Sequence, residues 1–281
     1  RTRVCGIIGD PVEHSLSPAM HNAAFRELGI DCVYVPFRVS PRSLRDAVRG
    51  LRSLGVLGFN VTVPHKIEIV NYLNRLDALA RLIGAVNTVQ NAEGRLVGYN
   101  TDATGAVEAL GQSGVRLKDS AFTILGAGGA ARGIVFALAK ISPRIVVLNR
   151  TFEKARKLKR EVKRRLRRNI EICHLTKKNL AEALPTTDVL VNATSVGMEG
   201  NQNGLPIDQI RLGRDLTIFD IVYSQSETDL LRKARLAGCK TIGGVEMLLH
   251  QGASAFEIWT GRKAPLDVMR HALAGASGAG G

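Results

Sequence analysis

The sequence predicts an α/β protein of two domains. Three observations carry that reading. The chain has 281 residues, more than one domain usually holds. Short apolar runs alternate with helical patterns almost throughout. Residues 121–150 spell strand, glycine-rich turn, helix, strand. A 45% apolar content can fill two cores, and no apolar run is long enough to span a membrane as a helix.

The 121–150 unit is the most informative. Gly126, Gly128 and Ala131 match G-x-G-x-x-G/A, with Ala127, Gly129 and Ala130 equally small between and beside them. Gly126 permits a tight turn, Gly128 lets the backbone approach a pyrophosphate, and Ala131 lets the helix pack closely on the strand. The helix N-terminus then offers free N–H groups to phosphates. This predicts a Rossmann-type dinucleotide site, because the glycines fall between a strand and a helix. An NAD site usually places Asp or Glu at the end of the second strand; here Asn149, Arg150 and Thr151 stand there. No carboxylate repels a 2′-phosphate, and Arg150 can pair with one, so NADP is expected over NAD.

Taken in order, residues 3–9 read as a buried strand. Ser17-Pro18 opens a helix, with Ser17 as N-cap and Pro18 at the first helical position. Gly29 ends it. A strand at 32–39 and a helix at 41–53 follow. A third strand covers 56–63, and Pro64 is expected to begin another helix. Strands at 85–90 and 95–100 are joined by a hairpin-type turn at 91–94. A helix at 102–111, for which Asp102 is a candidate cap, leads into the dinucleotide unit. Beyond it come an amphipathic helix after Arg150, strands at 171–175, 189–193, 217–222 and 240–242, and helices at 178–184 and 228–237. A long helix at 245–260 and a last one from Pro265 finish the fold. The small-residue tail at 275–281 is expected to be disordered. The expected domains are 1–102, 103–243 and a C-terminal pair of helices at 244–281.

Net charge is 39 − 25 = +14. Residues 150–168 hold 11 Lys/Arg and 2 Glu, a local +9, on a helix whose apolar positions are Ala155, Leu158, Val162 and Leu166. A solvated basic face is the expectation. No aromatic residue punctuates that face and no known nucleic-acid module is recognisable, so no nucleic-acid partner is expected. The four cysteines lie far apart, the six histidines are scattered, and the N-terminal stretch lacks the features of a secretory leader. A cytoplasmic protein without metal or membrane partner is expected. The chain begins at Arg1 rather than Met, as a piece of a longer polypeptide would.

Polar residues cluster where buried strands end, the edge at which α/β sheets bind ligands: Ser15 and Ser17, then Asn60, Thr62 and Lys66, then Asn87 and Asp102. With these residues in view the chain resembles the shikimate dehydrogenase family along almost its whole length. The matching motifs are Gly9 to Val12 with His14 to Pro18, Gly58 to Lys66, Gly84 to Thr88, Gly98 to Asp102, the Gly126 loop, Asn149 to Thr151, Asn192 to Met198, Asp220 to Tyr223, and Gly244 to Gly261.

The resemblance implies reversible NADPH-dependent reduction of 3-dehydroshikimate to shikimate, in a cleft between a substrate domain and an NADP domain, with C-terminal helices returning to the first. It implies Lys66 and Asp102 as the catalytic pair. It places the substrate carboxylate on Ser15, Ser17 and Tyr223, and the ring hydroxyls on Thr62, Asn87, Lys66, Asp102 and Gln251. Besides the Gly126 loop and Asn149 to Thr151, it places Lys154, Thr194, Ser195, Met198, Ile221, Gly244 and Met247 at the cofactor. The assembly expected is a monomer or homodimer. A quinate/shikimate enzyme using NAD is the alternative, against which Ser17 and Arg150 weigh. One departure stands out: the family's Tyr-x-Pro is absent, since Tyr223 is followed by Ser224 and Gln225.

Overall fold

The computed structural model describes residues 2–197, 204–207, 210, 212–223 and 227–278. Its strands are β1 (Arg3–Gly9), β2 (Cys32–Arg38), β3 (Gly58–Val61), β4 (Arg75–Leu76), β5 (Thr88–Ala92), β6 (Arg95–Tyr99), β7 (Ala121–Leu125), β8 (Arg144–Asn149), β9 (Glu171–His174), β10 (Val189–Asn192), β11 (Thr217–Asp220) and β12 (Lys240–Ile242). Its helices are α1 (Ser17–Glu27), α2 (Leu44–Ser53), α3 (Ala78–Ile83), α4 (Thr101–Gln112), α5 (Gly129–Leu138), α6 (Phe152–Leu166), α7 (Lys177–Ala183), α8 (Asp229–Leu236), α9 (Gly244–Thr260) and α10 (Leu266–Gly278). The chain divides into two compact units, Arg1–Gly105 with Leu248–Gly281, and Ala106–Met247. It passes from the first to the second within α4 and returns within α9.

The first unit holds a mixed sheet in the order β2-β1-β3-β5-β6-β4. β1 pairs in parallel with β2 and β3, as two successive βα crossovers require, and β5 runs antiparallel to both β3 and β6. The hairpin turns on Glu93 (φ 50°) and Gly94 (φ 80°), a two-residue turn with both centres left-handed, tighter than the four-residue turn read from sequence. Ile8, Phe59, Val61, Val86 and Val89 centre its core. The C-terminal helices belong to this unit: a Cβ at Gly252 of α9 would sit 2.1 Å from a Met20 carbon of α1, and Trp259 Nε1 donates to the Val89 carbonyl (2.9 Å).

The second unit is wholly parallel, β12-β11-β10-β7-β8-β9. Its central strands are buried on both faces, which accounts for their near-continuous apolar runs. Leu125, Val146, Leu148, Leu190 and Ile218 form its centre.

Local corrections have physical causes. No α-helix starts at Pro64; turns lead to a short 3₁₀ segment at Glu68–Tyr72. The Lys66 carbonyl accepts the amide of Val86 (2.7 Å) and is therefore not free for a helical ladder. Ser17 does not cap α1: Leu16 holds the cap position without a side-chain bond, and Ser17 is the first helical residue. Asp102 does not cap α4 either, because Asn100 Oδ1 accepts the Ala103 amide (3.1 Å). α10 continues through Gly278, past the start of the expected disordered tail, on Ala- and Gly-containing turns. The two-residue β4 and the six-residue α3 carry too few residues to show a period, and sequence reading passed over both.

Candidate active site

Within the first unit, four separate segments bring polar side chains together. β3 ends in a turn that delivers Lys66; the residue before β5 is Asn87; the first turn of α4 carries Asp102; and α9 carries Gln251. Lys66 Nζ donates to Asp102 Oδ2 at 2.7 Å, with side-chain exposures of only 14% and 5%. Asn87 Nδ2 donates to Asp102 Oδ1 (2.9 Å), Thr101 Oγ1 (2.9 Å) and Gln251 Oε1 (3.2 Å). The amide of Asn87 is itself fixed, since its Oδ1 accepts the Thr101 backbone N–H at 2.7 Å.

A deeper layer supports this one. Asn60 Nδ2 donates to the Asn87 carbonyl (3.1 Å) and Thr88 Oγ1 (3.0 Å), and Tyr34 OH donates to Asn60 Oδ1 (2.7 Å). All of these residues are buried, so each polar atom needs the partner it has. Behind them lies His21, stacked on Tyr34 at 4.5 Å and flanked by Phe25, Phe256 and Trp259. Neither ring nitrogen has a hydrogen-bond partner, and burial pulls its pKa down to about 3. The imidazole is therefore neutral. His65, next to Lys66 in the chain, is buried, and its Nε2 donates to the Val39 carbonyl (2.6 Å).

Ser15, Ser17 and Thr62 lie in the same unit, Ser17 buried and the other two half-buried. The Ser17 amide donates to Ser15 Oγ (3.3 Å), which draws the two hydroxyl-bearing residues together at the start of α1. Tyr223, half-buried, belongs to the second unit. Sequence reasoning named Lys66, Asp102, Asn87 and Gln251, and the structure bonds them to one another. It missed Thr101, Thr88 and Tyr34 as supports; the adjacency of Thr101 to Asp102 and of Thr88 to Asn87 was the available signal.

The second unit builds a different kind of site. β7 ends at Leu125, and Gly126 turns sharply with φ +111°. A Cβ there would lie 2.6 Å from the Ala193 carbonyl oxygen. Ala127 follows, Gly128 is extended and exposed, and α5 starts at Gly129-Ala130 with no side-chain cap. A Cβ on Gly128 would enter open space, so the uncapped N–H groups of α5 face room that a phosphate could fill. At the end of β8, Asn149 Nδ2 donates to the Thr151 carbonyl (2.7 Å), bending the chain into α6. Arg150, Thr151 and Lys154 are exposed around that bend. These donors fit a dinucleotide carrying an extra phosphate.

The ends of β10 and β11 are tied together by Asp220, which is fully buried. Its carboxylate accepts from Asn192 Nδ2 (2.9 Å), the Val222 amide (3.1 Å) and Thr228 Oγ1 (2.7 Å). Burial still raises the Asp220 carboxyl above its ordinary value, against those three donors. Asn192 Oδ1 in turn accepts the Thr194 amide (3.1 Å) and hydroxyl (2.7 Å), shaping the turn that holds Ser195. Ile221 sits just past the hub, and Gly244 packs against it, with a Cβ there only 2.5 Å from the Ile221 carbonyl. Met247 is buried. Met198 lies outside the described residues. Among the described residues no group of three or more His, Cys, Asp or Glu could hold a metal ion, and no helix is long and apolar enough to cross a membrane.

Three family models match the chain. Residues 7–89 match a shikimate dehydrogenase substrate binding domain, residues 108–204 a shikimate/quinate 5-dehydrogenase, and residues 244–274 a shikimate 5′-dehydrogenase C-terminal domain. The shikimate dehydrogenase (NADP⁺) of Methanocaldococcus jannaschii is 45% identical over 274 residues, covering 97% of this chain and 96% of that one. A crystal structure of a shikimate dehydrogenase in complex with NADP⁺ superposes with a TM-score of 0.88 at 44% identity, covering 97% and 95%. The Thermus thermophilus shikimate 5-dehydrogenase, solved with NADP(H) and shikimate, gives 0.85 at 36% identity, covering 98% and 100%.

Proposed function

On the premise that this chain belongs to the shikimate dehydrogenase family, we propose that it catalyses the reversible NADP-dependent interconversion of shikimate and 3-dehydroshikimate. The observation that carries the reading is the Lys66–Asp102 pair, half-buried Lys66 on buried Asp102, cross-linked to Asn87 and Gln251 in one unit while the other offers an uncapped, glycine-lined helix end and Arg150. The two units take the roles of substrate domain and NADP domain.

In the ketone-reducing direction the carbonyl oxygen gathers negative charge and must end as a hydroxyl. Lys66 Nζ supplies a positive charge and a proton at that oxygen. Asp102 holds the ammonium in place through Oδ2, and its Oδ1 is held by Asn87, so the carboxylate cannot turn away. In the reverse direction the same pair withdraws the hydroxyl proton. NADP, when bound, supplies or accepts the hydride. Asn87, Gln251 and Thr62 serve the ring hydroxyls, and short neutral donors suit oxygens held at fixed geometry. Ser15 and Ser17 serve the substrate carboxylate, and Tyr223 takes the same role on the family pattern alone. In the second unit the α5 N-terminus with Gly126 to Ala130 holds the pyrophosphate. Arg150, Lys154 and Thr151 hold the 2′-phosphate, and Asn149 shapes their turn. Thr194, Ser195, Ile221, Gly244 and Met247 serve the nicotinamide half.

A cytoplasmic setting completes the reading, and sedimentation distinguishes the monomer from the homodimer. The test is optical. Shikimate-dependent reduction of NADP⁺ is compared with NAD⁺, and with quinate as second substrate. Preference for shikimate with NADP⁺ supports the proposal; preference for quinate or NAD⁺ overturns it.

A further inference from the structure

The charge on α6 has a geometry that the reaction does not use. α6 is held down by Ala155, Leu158 and Val162, all buried. On the opposite face, Lys157, Arg160 and Arg164 follow one another at spacings of three and four residues, and Arg167, the left-handed residue that ends the helix, comes three residues later; all four are exposed. At 1.5 Å per residue this row is about 15 Å long. Lys163 is exposed beside it.

The helix has two carboxylates, and neither neutralises the row. Glu153 pairs with Arg156 at the N-terminal end (2.8 Å). Glu161 turns inward to the buried Arg132 of α5 and is also 3.9 Å from Arg165. Burial, with Arg165 and Arg164 close by, brings Arg132 down to about 10, so it stays charged at neutral pH, and the largely buried Glu161 is its counter-ion. Lys157, Arg160, Lys163, Arg164 and Arg167 have no ion-pair partner among the described residues. A row of like charges at helical spacing is self-repelling, and a multivalent anion relieves that repulsion.

We propose that this row is a docking surface for the phosphate backbone of double-stranded nucleic acid, bound without sequence preference. The charge complementarity is direct, since a duplex presents closely spaced phosphates along a line. The face carries no aromatic side chain, so it cannot stack the bases of a single strand. It carries no apolar residue free to enter a lipid interface, because the apolar side of α6 is already in the core. The sequence expectation of no nucleic-acid partner rested on the missing base-reading elements; backbone binding needs none of them.

The test uses the full chain and a fluorescein-labelled duplex of random sequence, read by anisotropy across salt. The charge reversals Lys157→Glu, Arg160→Glu and Arg164→Glu are combined in one variant. Arg45→Glu, Arg49→Glu and Arg52→Glu on exposed positions of α2 give a control with the same change in net charge. The expected result is micromolar binding at low salt, a loss of at least about tenfold in the α6 variant alone, and a salt slope shallower by roughly three for the contacts removed. Equal weakening in both variants would show that only net charge attracts the duplex, and absence of wild-type binding at low salt would also overturn the proposal. Should the reversals disturb folding, judged by circular dichroism, the Lys157→Gln, Arg160→Gln and Arg164→Gln variant carries the same expectation. Anionic vesicles that bind the wild type as tightly as the duplex does, and lose it in the same variant, would replace nucleic acid by a lipid surface and overturn the assignment.

Discussion

The two units solve the problem of holding a ligand in opposite ways. The first builds its site from side chains: Lys66, Asn87, Asp102 and Gln251 come from four segments and are fixed by bonds of 2.7–3.2 Å to one another. The second builds its site from backbone, with Gly126, Gly128 and the open first turn of α5 doing by absence of side chains what the first does by their presence. The substrate-side cluster should therefore fail when an atom is removed, and the cofactor-side loop when one is added.

The largest expected effect is on the side-chain site. Lys66→Ala should lower kcat/KM for shikimate by about 10³-fold, within the range that general acid–base groups contribute. Steady-state kinetics check it, and a loss smaller than tenfold would place the proton elsewhere. Next comes the backbone site. Gly126→Ala forces a Cβ onto the Ala193 carbonyl at a strained φ of +111°, a cost of about 2 kcal/mol. KM for NADP⁺ should rise roughly 30-fold, the equivalent of that cost, while shikimate binding in the first unit is unchanged. Retention of wild-type KM would erase the contrast between the units.

Arg150→Ala sharpens the comparison, because it removes one of the two long cationic side chains, with Lys154, that the proposed function places at the 2′-phosphate. KM for NADP⁺ should rise about tenfold, the scale of a charge-assisted hydrogen bond, with KM for NAD⁺ unmoved. The last effect, on stability and absent at neutral pH, concerns His21. Its folded pKa of about 3 lies below the ordinary 6.5, so the unfolded chain binds a proton that the folded one excludes. Stability is lost as pH falls from about 6.5 towards 3, by at most about 1.4 kcal/mol per pH unit. Urea denaturation of His21→Phe between pH 4 and 7 should show a flatter dependence than wild type; identical slopes would sink the assignment.

The contrast also explains what sequence could reveal. The backbone site was legible because glycine spacing between a strand and a helix is a local pattern, and the side-chain cluster was legible because Lys66, Asn87 and Asp102 each follow or precede a buried strand. The supports were not. Thr101, Thr88 and Tyr34 act through bonds to residues distant in the chain, and only the adjacency of Thr101 to Asp102 and of Thr88 to Asn87 hints at two of them. The misplaced caps at Ser17 and Asp102 were errors of local competition, since a better-placed oxygen at Asn100, or none at all at Leu16, took the position. The helix expected from Pro64 lost to a tertiary bond from Val86. At Pro64 a long-range partner overrode a sound local preference; at the two caps a residue one or two positions away did so.

In the proposed reaction Lys66 and Asp102 act as one unit, and a double-mutant cycle reads that coupling. Lys66→Ala, Asp102→Asn and the double variant are compared in kcat for shikimate oxidation under saturating NADP⁺. The pair predicts that the double variant is no slower than the slower single variant, as for residues that share one task. Losses that multiply would mean that the two side chains, 2.7 Å apart, contribute separately to the reaction.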